Sequence, residues 1–151
     1  LPYDPARAIA ILQAAVAGCL PERIGLIGSS MGGFYGTFIA EQFDLPLVLV
    51  NPAVRPFELL RDHLGENENI YTGEKYSFTE QHIQQLRELD VAPVTNVQRY
   101  LLLTQTGDEV LDYQQGVTKY AGCRQIVEQG GSHGFDGFEQ HLQTIFSFFN
   151  I

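Results

Sequence analysis

The stretch that most limits what this chain can fold into is residues 24–43. Ile24-Gly25-Leu26-Ile27 is short, apolar and β-prone. Gly28-Ser29-Ser30-Met31-Gly32 follows, with Gly33 directly behind it, and residues from about 31 to 43 read as a helix. A strand that turns straight into a helix makes a bend too sharp for bulky flanking side chains. Gly28 and Gly32 are therefore expected to let the two elements pack closely. Ser30, the middle residue of this G-x-S-x-G, is then raised at the carboxyl end of the strand, above the helix N-terminus. The unpaired N–H groups and the positive dipole end there suit a developing oxyanion. Met31, the residue after the serine, is expected to contribute its backbone N–H. Five residues of this kind also arise by chance, and a tight turn without chemistry would carry the same pattern. A phosphate loop fits less well, because neither G-K-[ST] nor G-x-G-x-x-G is present.

The rest of the chain alternates helical and apolar β-like segments. Asp4-Pro5 opens a helix, with Asp4 as cap and Pro5 in the first turn. Its buried face is expected to hold Ala8, Ile11, Leu12, Ala15, Val16 and Cys19, and it ends between Gly18 and Pro21. In the helix after Ser30, Phe34, Phe38 and Ile39 are expected to point inward. Pro46-Leu47-Val48-Leu49-Val50 is continuously apolar, the mark of a strand covered on both faces. Asn51 to Pro56 stops it, and a helical piece over 57–64 follows. Residues 65–76 read as polar loop. Ser77-Phe78-Thr79-Glu80 has the form of a capping box for a helix to about Leu89. Residues 57–92 thus form an insertion-like, acid-rich segment, with Glu58, Asp62, Glu66, Glu68, Glu74, Glu80, Glu88 and Asp90 inside it. It reads as a small cap, or more simply as a solvated acidic face. A third strand runs from Gln98 to Gln105 and a helix capped by Asp112 reaches Ala121. The last strand is Cys123 to Glu128. Asp136 is expected to cap a closing helix that buries Phe138, Leu142, Ile145, Phe146 and Phe149. Strands alternating with helices mean an α/β fold on a parallel sheet.

In such a sheet, ligands bind beyond the carboxyl ends of the strands. Three of those ends carry Ser30, Asp108 and His133, in that chain order. A serine hydroxyl needs an imidazole to take its proton, and the imidazole needs a carboxylate to fix its tautomer and stabilise its cation. Three loops at one sheet edge would deliver all three, in the order used by α/β-hydrolases. Ser29 lacks the flanking glycines. Asp112 competes with Asp108 but is better explained as a cap, and Glu109 is a lesser candidate. His133 lies in Gly130-Gly131-Ser132-His133-Gly134, where a mobile histidine is expected. His63, His82 and His141 read as surface or satisfied residues. No metal-ligand spacing such as H-E-x-x-H occurs, so no metal and no other cofactor is expected.

Composition narrows the partners. Nine basic against eighteen acidic residues leave a net charge of −9, which disfavours nucleic acid and anionic membranes. No apolar run approaches the roughly 18 residues of a membrane span. Cys19 and Cys123 form no C-x-x-C and fall in elements expected to be buried, so they read as core thiols of a reducing, cytoplasmic compartment. At 151 residues, 44% of them hydrophobic, the chain is expected to form one domain over 1–151. Its first residue is leucine and its first element a helix, so the natural N-terminus is expected to lie upstream, with any signal peptide out of sight.

Four stretches resemble the bacterial YqiA-type esterases, small α/β-hydrolase proteins. They are Asn51-Pro-Ala-Val-Arg-Pro-Phe-Glu-Leu-Leu60, then Gly65 to Asn69 with Tyr71 to Gly73, then Gln105 to Tyr113, and Gly130 to His133. The first is far more specific than G-x-S-x-G, and the resemblance spans essentially the whole chain. It implies a serine esterase acting on small-molecule carboxylic esters, acyl-CoA thioesters among them, with Ser30, Asp108 and His133 as triad. It leaves Arg55 open, between a structural ion pair beneath the cap and a substrate contact. Proteins of this family begin with a strand ending in a His-Gly-Phe-type loop that supplies the second oxyanion donor, then a helix and another strand. That unit of roughly 30 or more residues is absent here. Losing an oxyanion donor costs on the order of 10²–10³ in rate, so a hydrolase is expected of the natural protein and weak activity of these 151 residues alone. Two other readings share the pattern. One is a non-catalytic α/β-hydrolase scaffold serving as a binding module; the other is an acyltransferase or peptidase using the same three residues.

Overall fold

The computed structural model describes residues 1–20, 23–69 and 73–151. In chain order the elements are α1 (Pro5–Cys19), β1 (Leu26–Ser30), α2 (Met31–Phe43), β2 (Leu47–Pro52) and α3 (Pro56–Leu59). β3 (Gly65–Glu68), β4 (Lys75–Phe78), α4 (Glu80–Glu88) and β5 (Tyr100–Gln105) follow, then α5 (Tyr113–Lys119), β6 (Arg124–Glu128) and α6 (Leu142–Phe149). These elements divide between two compact units. One holds residues 23–54 and 91–151, the other residues 1–22 and 55–90.

The first unit is built on a four-stranded sheet in the order β1-β2-β5-β6, and every neighbouring pair is parallel. β2 and β5 are the central strands, and all their residues are buried. That burial is why Leu47 to Val50 and Leu101 to Leu103 read as apolar runs. Pleating sends alternate residues to opposite faces. Leu47, Leu49, Tyr100 and Leu102 face Ala40 of α2 and Tyr120 just after α5. Val48, Val50, Leu101 and Leu103 face Phe135 and Ile145 of α6. Helices therefore cover both faces of a parallel sheet. The closing helix buries less than its pattern promised: Ile145 is buried, but Leu142 and Phe146 are 39% and 44% exposed. Asp136 does not cap it either. Residues 138–141 form a 3-10 turn first, entered through Gly137 in the left-handed region, and the Asp136 carboxylate instead accepts the Ser132 hydroxyl at 2.7 Å.

The second unit packs α1 with α3, α4 and a small hairpin. β3 and β4 pair antiparallel from Gly65↔Phe78 to Glu68↔Lys75, in a stretch whose polarity suggested loop. The cap of α4 is Thr79 rather than Ser77, which belongs to β4. The box is completed by His82, whose Nδ1 accepts the Thr79 N–H at 3.0 Å. Asp4 caps α1 as expected, accepting the Arg7 N–H at 3.0 Å. The buried stripe of α1 is Pro5, Ala8, Ile9 and Val16. Ile11 and Cys19 lie outside it and are exposed, because the buried face runs through Pro5, Ala8 and Ile9 and turns the Ile11 and Ala15 side to solvent. α1 ends at Cys19, within the expected span of Gly18 to Pro21; Pro21 itself and the Tyr71-Thr72 part of the family-like run lie outside the described residues.

Candidate active site

β1 ends at Ser30, and α2 begins at Met31 with no residue between them. The turn forces Ser30 to φ 52°, ψ −122°, a conformation that costs a non-glycine residue about 1–3 kcal/mol unless its surroundings enforce it. Here they do. The Ser30 carbonyl accepts the Ala53 N–H at 3.0 Å. The pairing with β2 steps from Ser29↔Val50 to Ser30↔Pro52, so Asn51 is an extra residue in β2. A Cβ on Gly28 would lie 2.4 Å from the Gly32 carbonyl oxygen, and one on Gly33 would lie 2.7 Å from Pro52 Cβ. A Cβ on Gly32 would meet nothing within 4 Å. The close approach thus falls on Gly28 and Gly33, not on the expected pair Gly28 and Gly32; the partner at Gly28 is the Gly32 backbone.

The loops after β5 and β6 lie backbone to backbone. Gly107 N–H donates to the Gly130 carbonyl at 2.8 Å and Thr106 N–H to that of Glu128 at 2.9 Å. A side chain at Gly107 would strike the Gly131 carbonyl at 2.5 Å. This contact brings Asp108 beside His133. The imidazole Nδ1 lies 3.0 and 2.9 Å from the two Asp108 oxygens, and its Nε2 lies 3.0 Å from Ser30 Oγ. The Asp108 side chain is 1% exposed and the imidazole 23%. Asp108 Oδ1 also accepts the N–H groups of Val110 and Leu111 at 2.9 and 2.8 Å. The carboxylate is thereby held in one orientation, with its charge facing the ring. With its proton on Nδ1, His133 donates to Asp108 and leaves Nε2 to accept from the serine hydroxyl.

The competing candidates are occupied elsewhere. Asp112 caps α5 through the Gln114 N–H at 3.0 Å. Glu109 accepts the backbone N–H of His133 at 3.0 Å. His141 pairs with Glu128 at 3.0 Å, and His82 is committed to its capping box. Met31 sits at the first position of the 13-residue α2, directly after the serine. Arg55 pairs with Glu58 at 2.7 Å on an exposed surface. Burial, with Glu41 adding to it, pushes the Cys123 thiol up and away from its nucleophilic form.

Sequence reasoning passed over two side-chain amides at this edge. Asn51, 1% exposed, donates to the carbonyls of Ser132 and His133 at 2.9 and 3.1 Å. Gln105, 3% exposed, accepts the N–H groups of Ser132 and Asp136 at 3.2 and 2.9 Å. Each sits where an apolar strand runs on into a polar residue, and that was the available signal. The loop expected to be mobile is held from two strands.

A four-stranded parallel sheet covered on both faces, with a serine at a strand–helix elbow after β1 and an aspartate and a histidine in the loops after β5 and β6, has the α/β-hydrolase fold. Solved structures share it. Est1E from Butyrivibrio proteoclasticus matches with a TM-score of 0.66 at 16% identity, over 96% of this chain and 67% of its own. A monoacylglycerol lipase from Paleococcus ferrophilus matches with a TM-score of 0.67 at 14% identity, over 97% and 76%. The esterase domain of a Rhodothermus marinus protein matches with a TM-score of 0.61 at 16% identity, over 87% and 62%. The chain thus spans about two thirds of the length of these structures. Residues 1–150 match the uncharacterised protein family UPF0227, and the chain belongs to that family, the YqiA family whose motifs it carries.

Proposed function

We propose that the protein is a serine esterase that hydrolyses carboxylic esters through an acyl-enzyme on Ser30. The carrying observation is the line from Ser30 Oγ through His133 to the Asp108 carboxylate, each link at 2.9–3.0 Å. Two of the three solved relatives above bear esterase or lipase in their names, which supports the same reading.

In the first half-reaction Ser30 Oγ attacks the ester carbonyl while His133 Nε2 takes the hydroxyl proton. The Met31 N–H, at the positive end of α2, faces the oxyanion as it forms. The tetrahedral intermediate collapses to an acyl-serine, and the imidazolium returns its proton to the departing alkoxide, which leaves as the alcohol. In the second half His133 takes a proton from water, the hydroxide attacks the acyl carbonyl, and the proton goes back to Ser30 as the acid leaves. Asp108 stays ionised throughout and stabilises the imidazolium. Thioesters such as acyl-CoA follow the same two steps with a thiol as leaving group, and we include them in the substrate class. Within the same proposal residues 57–92 are a cap-like insertion in a single hydrolase domain, and the protein works in a reducing, cytoplasmic compartment, a reading that the free cysteines Cys19 and Cys123 support. No described helix is long and apolar enough to cross a membrane.

Labelling with a fluorophosphonate tests the reading. Such a probe phosphonylates only a serine whose hydroxyl is activated. We expect labelling of the protein, loss of it in Ser30→Ala, and a pH–rate profile for ester cleavage with one ascending limb from the base. Absence of labelling in the folded protein would move the assignment to a non-catalytic binding scaffold.

A further inference from the structure

We propose that Asn51 is a positioning residue that sets the height of the His133 imidazole over Ser30. The inference rests on the esterase reading and goes beyond its triad.

The loop from 129 to 137 has no regular hydrogen-bonding ladder of its own. Gly130, Gly131, Phe135 and Gly137 all adopt positive φ, so the backbone groups there need outside partners. Asn51 supplies them from one side. It is the extra residue of β2, at φ 39°, and a bulge of this kind re-aims the side chain that carries it. Its amide is used completely. Nδ2 donates to the carbonyls of Ser132 and His133, while Oδ1 accepts the Gln105 N–H at 2.9 Å and the Thr104 hydroxyl at 3.2 Å. One buried amide therefore ties the two peptide units at the histidine to the end of β5, the strand whose next loop carries Asp108. The bulge that creates this side-chain position also shifts the β1–β2 register at Ser30. Serine, acid and histidine are referenced to the same residue.

Gln105 closes the other side. Its Oε1 accepts from Ser132 and Asp136, and its Nε2 donates to the Asp136 carbonyl at 2.8 Å and to Glu128 at 2.9 Å. The two amides grip opposite edges of the loop. Asn51 holds both carbonyls that flank the His133 N–H, and Glu109 accepts that N–H, so loss of the Asn51 amide lets the ring drop or tilt while the Gln105 side of the loop stays in place. A misplacement near 1 Å at the reacting atoms costs about 10² in rate.

Two substitutions separate positioning from bulk stability. Asn51→Asp keeps the shape and the acceptor but turns a carboxylate oxygen against two carbonyl oxygens. Asn51→Gly removes the amide and suits the left-handed φ, so it is the variant better able to fold. Ester hydrolysis and fluorophosphonate labelling are measured well below each variant's melting temperature, with Ser30→Ala alongside. We expect kcat and labelling rate to fall about 10²-fold in the folded variants, with KM within about threefold and the ascending limb of the pH profile displaced. A folded variant that melts lower but keeps kcat within threefold of the parent overturns the proposal, because a purely structural amide would do that. If neither variant folds, hydrogen exchange in the unsubstituted protein decides. The Asn51 Nδ2 protons should exchange as slowly as the β5 amides, and fast exchange overturns the clamp. An unsubstituted protein that neither labels nor hydrolyses esters sinks the esterase reading instead, a result distinct from either of these.

Discussion

At the scale of single residues, the geometry around Asp108 makes a sharp statement about proton placement. Its Oδ1 is committed to the N–H groups of Val110 and Leu111. In Asp108→Asn the remaining amide oxygen keeps those two donors, and the NH₂ group turns toward His133 Nδ1. The imidazole must then carry its proton on Nε2, where it cannot accept from Ser30. We expect kcat to fall about 10³–10⁴-fold with the fold retained, as in the corresponding change in a serine protease; ester turnover and melting curves measured together check it. The elbow glycines give a second contrast. Gly28→Ala drives a methyl to 2.4 Å from the Gly32 carbonyl. Neither backbone can retreat there without distorting the turn, so a loss of at least about 1–3 kcal/mol is expected, with labelling abolished. Gly32→Ala meets nothing within 4 Å, and it sits in a helix, where alanine outperforms glycine by about 1 kcal/mol. It should fold and melt no lower than the parent. Thermal melts of the pair decide whether the turn is built on Gly28 and Gly33.

At the scale of elements, much of the sheet was readable because covered strands have a signature of their own. β2 and β5 lie under helices on both faces, and their middles, Leu47 to Val50 and Leu101 to Leu103, are wholly apolar. Asp4 and Asp112 were legible as caps because a short acceptor before a helical run has one common use. The misreadings share a cause too. β3 is an exposed hairpin strand with no buried residue to impose alternation, so Gly65-Glu-Asn-Glu68 looked like loop, and in β4 only Tyr76 and Phe78 turn inward. Thr79 displaced Ser77 because residues 75–78, read as the end of a loop and a cap, form β4 instead. Ile11 seemed a core residue because spacing gives a stripe but not which side meets a neighbour. That Ser30, Asp108 and His133 would meet was legible from residue type and strand order, whereas Asn51 and Gln105 were not, since an amide advertises no chemistry until its partners are known. A second polar cluster belongs to this scale. At the other end of β5, Glu41 accepts from the Thr95 N–H and hydroxyl and from the Tyr100 hydroxyl. Burial works against the Glu41 carboxylate, but the hydrogen bonds from Thr95 and Tyr100 outweigh it and hold its carboxyl below the usual range. A depressed folded-state value contributes stability that is present above the unfolded value of about 4.3 and is lost as pH falls through the folded one. Glu41→Gln should therefore be less stable than the parent at neutral pH, and the gap should narrow as pH drops below about 4. Denaturant melts across that window test the sign.

At the scale of the whole molecule, charge is what the chain brings to its choice of ester. A net charge of −9 surrounds a site that contributes one buried carboxylate and a mostly buried imidazole. A neutral carboxylic ester approaches such a molecule indifferently. An acyl-CoA thioester carries several phosphate charges on its leaving group and approaches against the field. The Debye length contracts from about 30 Å at 0.01 M salt to about 8 Å at 0.15 M, so the repulsion should fade over that range. We expect kcat/KM for an acyl-CoA to rise severalfold with salt, while that for a neutral p-nitrophenyl ester of the same acyl chain stays nearly flat. Sharing the acyl group removes pocket fit from the comparison, and the salt response then reports the leaving group alone. A falling kcat/KM for the acyl-CoA would mean that local cations override the net charge near the serine. Thioesters of CoA would then move to the front of the substrate class, ahead of neutral esters.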